Sequence, residues 1–378
     1  MDPDNLSPIV TAEPKPRGRL RWIAVLLGLG VGGWIWWHGG KVRQGTPNQA
    51  SLRPSSTNPP VLLETKNPGS NAPRQEVKAA APLEVASTNG ADQGGRAPRV
   101  LEAQLALIAQ GLSPGSLDGV IGPQTRAALR AFQLKEDLPT TGELDAATQG
   151  RLILTAPPFS DYQVTSNDLA RLLPLGKTWL SKSQQERLDY ETLLELVAEK
   201  SQAHPNLIRR LNPDLDWSNL TAGAMVKVPN AEFPLSQERA AFVKILLAER
   251  LLQAFDEETN LLAQFPCSIA QRVDKRPVGE LHVEVTAANP NYTFNPEVFP
   301  ESAEARELGR KLILPPGPNN PVGTVWIGLD RPGYGIHGTP RPEDVGRTES
   351  HGCFRLANWN AEYLFRLVRI GTPVFVEP

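Results

Sequence analysis

From Trp22 to Gly40 the chain reads WIAVLLGLGVGGWIWWHGG without one Lys, Arg, Asp or Glu, close to the ~20 apolar residues a helix needs to cross a bilayer. Trp22 stands at one edge of this run and Trp34, Trp36 and Trp37 at the other, where amphipathic indoles favour the headgroup level. Lys15, Arg17, Arg19 and Arg21 precede it, while only Lys41 and Arg43 follow closely. That bias keeps residues 1–21 in the cytoplasm and exports the remainder. No small-residue cleavage pattern follows the run, so 22–40 is expected to be a retained anchor rather than a cleaved signal peptide. Residues 41–98 are dominated by Pro, Ser, Thr, Asn, Gly and Ala, with Val61, Leu62 and Leu63 as their apolar cluster. Such a stretch cannot bury enough to offset its ordering entropy and reads as a linker with a reach on the order of 40 Å. The parts able to build a core lie beyond it.

At 378 residues the chain has room for two or three domains plus linkers. Lys and Arg number 39 against 41 Asp and Glu, so no net field points to a nucleic-acid partner. The 36 prolines are about twice ordinary usage and require much loop and turn. Two cysteines, Cys267 and Cys353, exclude a disulfide scaffold and a four-cysteine zinc site.

Residues 99–154 alternate helical and turn signals. Val100, Leu101, Gln104, Leu105 and Ile108 keep one helical face, Gly111, Pro114 and Gly115 break it, and a second helix starts near Pro123 after a turn at Asp118, Gly119 and Gly122. The run LDGVIGPQTRAALRAFQ…LPTTGELDAAT resembles the three-helix peptidoglycan-binding domain, which implies glycan or stem-peptide binding. A plain helical bundle with turn glycines is the alternative. Residues 155–189 carry no chemical motif and are expected to be a spacer. Residues 190–230 hold two short amphipathic helices separated at Pro205, then GAMVKVPN. This segment resembles an α+β LysM unit, which implies binding of N-acetylglucosamine polymers, with a structural spacer of the same packing as the alternative. His204 beside Pro205 is expected at a helix boundary.

From residue 234 to 378 the pattern changes to short β-rich runs cut by Pro and Gly. Val243 to Leu252 and Leu261 to Ile269 flank a turn at Asp256 to Asn260 and predict a hairpin. Further strands are expected at Leu281 to Val285, Val325 to Leu329 and Val374 to Val376, and one helix at Asn358 to Val368. The expected chain is multidomain: a mainly β domain, sandwich or open barrel, preceded by a small helical domain and an α+β module.

The stretch GYGIHGTPRPEDVGRTESHGCFRLANWN concentrates His337, His351 and Cys353. A thiol becomes a useful nucleophile when a nearby imidazole raises its thiolate fraction. Gly352 permits backbone geometry that a side chain would obstruct, and N–H groups there could point at a developing oxyanion. His337, Ser350, His351, Gly352, Cys353 and Arg355 fall on the motif of the L,D-transpeptidase (YkuD-type) catalytic family, which this sequence resembles over roughly residues 240–377. The resemblance implies Cys353 as nucleophile, His337 as general base oriented by the Gly338 carbonyl, and His351, Gly352 and Cys353 around the oxyanion. It implies Ser350 as a loop-holding group and Arg355 as positioning the loop or a donor carboxylate. GPNNPVGTVWIGLDRPGYGIHGTP matches the family's substrate-groove region and makes Asn320, Trp326 and Tyr334 candidate substrate contacts, although an apolar residue such as Trp326 is more often strand packing than a ligand contact.

The implied activity is acyl transfer without metal or cofactor: a thioester formed on a tetrapeptide stem passes to an amine. A stem diamino acid, a lipoprotein lysine or water could be the acceptor, the last giving an L,D-carboxypeptidase or hydrolase. The implied location is the inner membrane of a bacterium, with the catalytic domain in the periplasm. Two other readings stand beside this. His337, His351 and Cys353, with Glu349 or Asp344, could ligate zinc, but at no common zinc spacing; or the chain only tethers the wall. Cys267, in an apolar run, is expected to be a buried core thiol with no disulfide to Cys353.

Overall fold

The computed structural model describes residues 93–378 apart from 236–237, 299–301 and 351. The expected cytoplasmic tail, anchor and most of the linker lie outside the described residues, as does His351. Among the described residues no helix is long and apolar enough to cross a membrane.

The first region is helical: α1 (Gln93–Ala109), α2 (Pro123–Lys135) and α3 (Ala146–Arg151). Helix α1 starts inside the stretch read as linker, so the folded part begins earlier than residue 99. One device, used twice, closes its turns. Buried Gln104 donates to Asp118 Oδ1 and Thr125 Oγ1 and accepts the Gly119 N–H; Gln133 donates to Thr141 Oγ1 and Thr148 Oγ1 and accepts the Gly142 N–H. Gly119 and Gly142 have φ of 74° and 72°, which L side chains rarely adopt. A buried glutamine whose amide both donates and accepts within the turn fixes a loop that has little apolar surface of its own.

The second region contains β1 (Phe159–Gln163), α4 (Ser166–Ala170), α5 (Trp179–Ser183), α6 (Leu193–Lys200), α7 (Pro205–Leu211) and β2 (Met225–Pro229). Strands β1 and β2 pair antiparallel from Phe159↔Pro229 to Gln163↔Met225. Leu196, Val197 and Ile208 of the helices pack with Val226 of the sheet. Half of this sheet therefore comes from 155–189, the stretch expected to be a spacer, and the module is larger than 190–230. Alternation over five residues with an exposed Ser160 and Asp161 is too short a signal to mark β1 from sequence. His204 caps α7, its Nδ1 accepting the Asn206 N–H.

The third region contains β3 (Phe242–Leu246), β4 (Leu251–Phe255), β5 (Leu261–Pro266), β6 (Gly279–Ala288), β7 (Tyr292–Phe294), α8 (Ala303–Leu308), β8 (Leu312–Leu314), β9 (Val325–Leu329), β10 (Gly335–His337), β11 (Phe354–Arg355), α9 (Asn358–Leu367) and β12 (Pro373–Glu377). The run Val243 to Leu252, expected as one strand, is two: Arg250 turns the chain at φ 55° and β3 folds back on β4.

Eight strands form one sheet in the order β11-β10-β9-β6-β12-β3-β4-β5. Past β5 the chain continues so that Ser268 bridges Arg355 and Ala270 bridges Ser350. The two edges thus meet, and the sheet curls into an open barrel. Inside it Val243, Phe265, Ile327, Phe354 and Leu364 of α9 share one core. A second apolar cluster lies on the other face of β9 and includes Tyr292, Phe294, Leu314, Trp326 and Cys353. Trp179 of α5 stacks on Phe294 at 4.7 Å, so the second region helps cover that cluster. The outer edge of β5 is covered by the helical region: Ser113 N–H donates to Gln264 O at 2.8 Å, and Gln264 N–H to Gly111 O at 3.0 Å. A Cβ on Gly111 would stand 2.3 Å from the Leu262 carbonyl oxygen, so the junction needs glycine. A covered edge cannot recruit another chain.

Candidate active site

His337 ends β10 between two neighbours, Trp326 on β9 and Arg355 on β11. The parallel register Ile336↔Phe354 sets Cys353, one step earlier, beside Gly335. Alternation along a strand then puts Cys353, His337, Trp326 and Arg355 on one face and Phe354, Ile336 and Ile327 in the barrel core. His337 and Cys353 are each 1% exposed.

The imidazole is held on two sides. Its Nδ1 lies 2.6 Å from Gly338 O; a carbonyl only accepts, so Nδ1 carries the proton and Nε2 keeps its lone pair. Nε2 has no hydrogen-bond partner. The Trp326 ring stacks on the imidazole, centroids 5.6 Å apart and 23° from parallel. Burial depresses the imidazole to about 3, opposed by the Gly338 carbonyl and reinforced by the Arg355 charge. The Cys353 thiol donates to Gly333 O at 3.4 Å. Burial pushes it up to about 12, opposed by the Gly335 backbone and by Arg355.

At neutral pH the pair is therefore thiol plus neutral imidazole. A raised thiolate fraction was the expectation, and the apolar cluster around Sγ reverses it, because desolvation penalises the charged form of both groups. A neutral imidazole whose Nδ1–H is held on Gly338 O keeps Nε2 free to accept a proton.

Ser350 ties the loop in front of Cys353. Its Oγ donates to Cys353 O at 2.6 Å and accepts the Gly352 N–H at 3.3 Å, while its main chain is bonded to Ile269 O and Gln271 N–H. The Gly352 N–H, expected at the oxyanion, is thus directed to Ser350. Arg355 Nη2 donates to Glu349 O at 3.0 Å.

The candidate substrate contacts separate. Asn320 is fully buried: its Nδ2 donates to Pro315 O and its Oδ1 accepts the Val322 N–H, so it shapes its own loop and offers nothing to a ligand. Tyr334 packs against the barrel core, on the face away from the thiol, with the Arg331 guanidinium over its ring. Trp326 touches His337 itself. Of the carboxylates in the zinc alternative, Glu349 pairs with Arg250 at 2.9 Å and Asp344 with Arg341 at 3.3 Å, and among the described residues no group of three potential ligands is assembled. Cys267 sits in the barrel core and Cys353 on the opposite face, both free.

One residue of the site carried no signal in the sequence. Asn358 opens α9, and its Oδ1 accepts the Thr339 N–H at 3.0 Å. A Cβ on Gly323 or Gly338 would stand 2.0 Å from that oxygen. A polar residue at the start of an expected helix reads as a cap, and only the fold brings it under the His337 loop.

A curled β domain with a carbonyl-held imidazole at the end of one strand and a buried thiol immediately before the adjacent parallel strand defines a candidate thiol acyltransferase. Residues 240–376 match the family model described as YkuD, L,D-transpeptidase catalytic domain, and residues 96–152 the one described as "Putative peptidoglycan binding domain". The chain thus carries a YkuD-type L,D-transpeptidase catalytic domain behind a peptidoglycan-binding domain.

It is 38% identical over 108 residues to "Putative L,D-transpeptidase YqjB" of Bacillus subtilis (strain 168), covering 27% of this chain and 52% of that one. It is 30% identical over 184 residues to "Probable L,D-transpeptidase YbiS" of Escherichia coli (strain K12), covering 48% and 58%. The chain spans little more than half the length of these curated relatives. Among solved structures it is similar to the L,D-transpeptidase from Xylanimonas cellulosilytica DSM 15894, with a TM-score of 0.32, 15% identity, and 74% of this chain and 93% of that one covered.

Proposed function

We propose that this protein is a cysteine L,D-transpeptidase that cross-links peptidoglycan. The observation that carries the reading is the buried His337, whose Nδ1–H is held by Gly338 and whose Nε2 is unpartnered, on the same face as Cys353. Cys353 Sγ attacks the carbonyl of the third residue of a tetrapeptide stem, and its proton passes to Nε2. The amide bond to terminal D-Ala breaks, and the imidazolium returns the proton to the leaving amine. The thioester then acylates an acceptor amine, and the thiol reforms.

A diamino-acid side chain on a second stem is the proposed acceptor, with a lipoprotein lysine or water as the other routes. The peptidoglycan-binding domain and a LysM-like second region hold the enzyme on the wall. Residues 22–40 anchor it in the inner membrane and 41 onward face the periplasm. His351 and the Cys353 backbone serve the oxyanion, Ser350 holds the loop through the Gly352 N–H, and Arg355 lies within electrostatic reach of both reacting groups.

Incubation with disaccharide-tetrapeptide, with products read by mass spectrometry beside a Cys353→Ala control, tests the reading. The expected product is a dimer lacking one D-Ala, absent in the control. Tripeptide alone would make the enzyme a carboxypeptidase, and no turnover with an intact thiol would leave it a tether.

A further inference from the structure

Helix α6 belongs to the second region, yet hydrogen bonds connect it to the imidazole. Glu199 Oε1 accepts from Asn358 Nδ2 at 2.9 Å, and Pro318 O accepts from the same nitrogen at 3.2 Å. On the other side, Asn358 Oδ1 accepts the N–H groups of Thr339 at 3.0 Å and Thr324 at 3.3 Å. Two N–H donors on the oxygen and two acceptors on the nitrogen allow one amide orientation. The oxygen is wedged between Gly323 and Gly338, where no Cβ would fit. Gly338 is the residue whose carbonyl holds His337 Nδ1. The amide of Asn358 therefore sets the peptide that sets the imidazole, and a carboxyl from another part of the chain sets the amide.

We propose that Glu199 is a positioning residue for His337, acting through Asn358 on the Gly338 peptide, so that the second region is part of the catalytic assembly as well as a wall-binding element. The inference rests on reading Cys353 and His337 as nucleophile and base. The same two parts are clamped nearby: Asn319 Nδ2 donates to Glu195 Oε1 at 2.6 Å and to Asp189 O at 3.0 Å, and Leu188 N–H donates to Pro316 O at 2.9 Å. That second clamp holds the docking when Glu199 is altered. Glu199 lines a cleft of about 490 Å³ toward Pro340 and Glu343 and another of about 600 Å³ toward Trp359 and Arg366. Water can thus replace a truncated side chain without collapse of a packed core, but water does not fix an amide in one orientation.

The test compares Glu199→Ala and Glu199→Gln with the parent in the 378-residue chain, reading kcat and KM on disaccharide-tetrapeptide, thermal melting, and the 15N-histidine spectrum. Glutamine keeps an oxygen that accepts from Asn358; alanine does not. The inference expects kcat to fall about tenfold in Glu199→Ala, with KM within twofold and a near-parent melting temperature, and expects Glu199→Gln to recover most of it. It also expects a sharp His337 Nδ1–H signal in the parent and in Glu199→Gln, broadened in Glu199→Ala. Parent-like kcat and spectrum in Glu199→Ala would overturn it, as would a loss that glutamine does not rescue or that follows the unfolded fraction. If the parent itself shows no turnover, the functional reading fails, while the His337 signal still decides whether Glu199 positions that ring.

Discussion

Trp326 and His337 form a registered pair across β9 and β10, ring over ring, with Gly335 two residues before the histidine lying under the indole. A Cβ at Gly335 would come within 2.5 Å of the Trp326 ring. The indole is thereby fixed between a strand that has no side chain to offer and an imidazole that must not rotate. Gly335→Ala should destabilise the protein by about 1–3 kcal/mol, the usual range for forced overpacking, and slow acylation of Cys353 by more than its unfolded fraction explains. Thermal melting and acylation rates on the same samples check both parts; a parent-like melting curve would show that the ring has room to move.

Ser350→Ala removes the hydroxyl that donates to Cys353 O and accepts from Gly352 N–H. A buried carbonyl left without its donor costs about 1–3 kcal/mol. The variant should melt lower and acylate more slowly, while Ser350→Thr, which keeps the hydroxyl, should lie nearer the parent. Equal behaviour of alanine and threonine would remove the hydroxyl from the account.

The motif residues were legible because their chemistry is local: Ser350, Gly352 and Cys353 lie within four positions, and helix α9 declares itself by period. The partition of faces was legible only where strands were long enough to alternate. Trp326 and Ile327 could be read as a strand, but which of them met the histidine depends on the register of β10, a strand of three residues with one glycine. Asn320 and Tyr334 were misplaced for the same reason, since a loop residue beside a motif gives no indication of which way it turns. The strand β1, in a stretch without apparent motif, became a strand because β2 needed a partner. Glu199 and Asn358 meet only through tertiary packing, and nothing in their spacing announces it.

Burial leaves both reacting groups neutral, and the signs are opposite: the imidazole falls to about 3 and the thiol rises to about 12. Absorbance at 240 nm should therefore show no Cys353 thiolate between pH 5 and 9. The acid limb of kcat/KM assigned to His337 should lie below 6.5. A preformed ion pair would instead give thiolate absorbance at neutral pH that His337→Gln abolishes.

Glu199 supplies a stability profile of the raised-carboxyl kind. Burial, with the Glu195 and Glu362 carboxylates nearby, lifts it from 4.5 to about 8, so the folded state binds a proton the unfolded chain has released. Its contribution is present below 4.5 and is lost as pH rises through about 8. Glutamine does not titrate. The melting temperature of Glu199→Gln relative to the parent should rise from pH 5 to about pH 8 and then level off, and a flat difference across that range would mean the carboxyl is already ionised in the fold.

The central claim is that Cys353 carries the acyl group and His337 moves its proton. The most direct measurement is peptide mapping of the protein quenched during turnover of disaccharide-tetrapeptide. The account predicts a thioester of the stem, less D-Ala, on the Cys353 peptide alone, absent in Cys353→Ala and formed about 10²–10⁴-fold more slowly in His337→Gln. An adduct on another residue, or one that forms at the parent rate without His337, would contradict it.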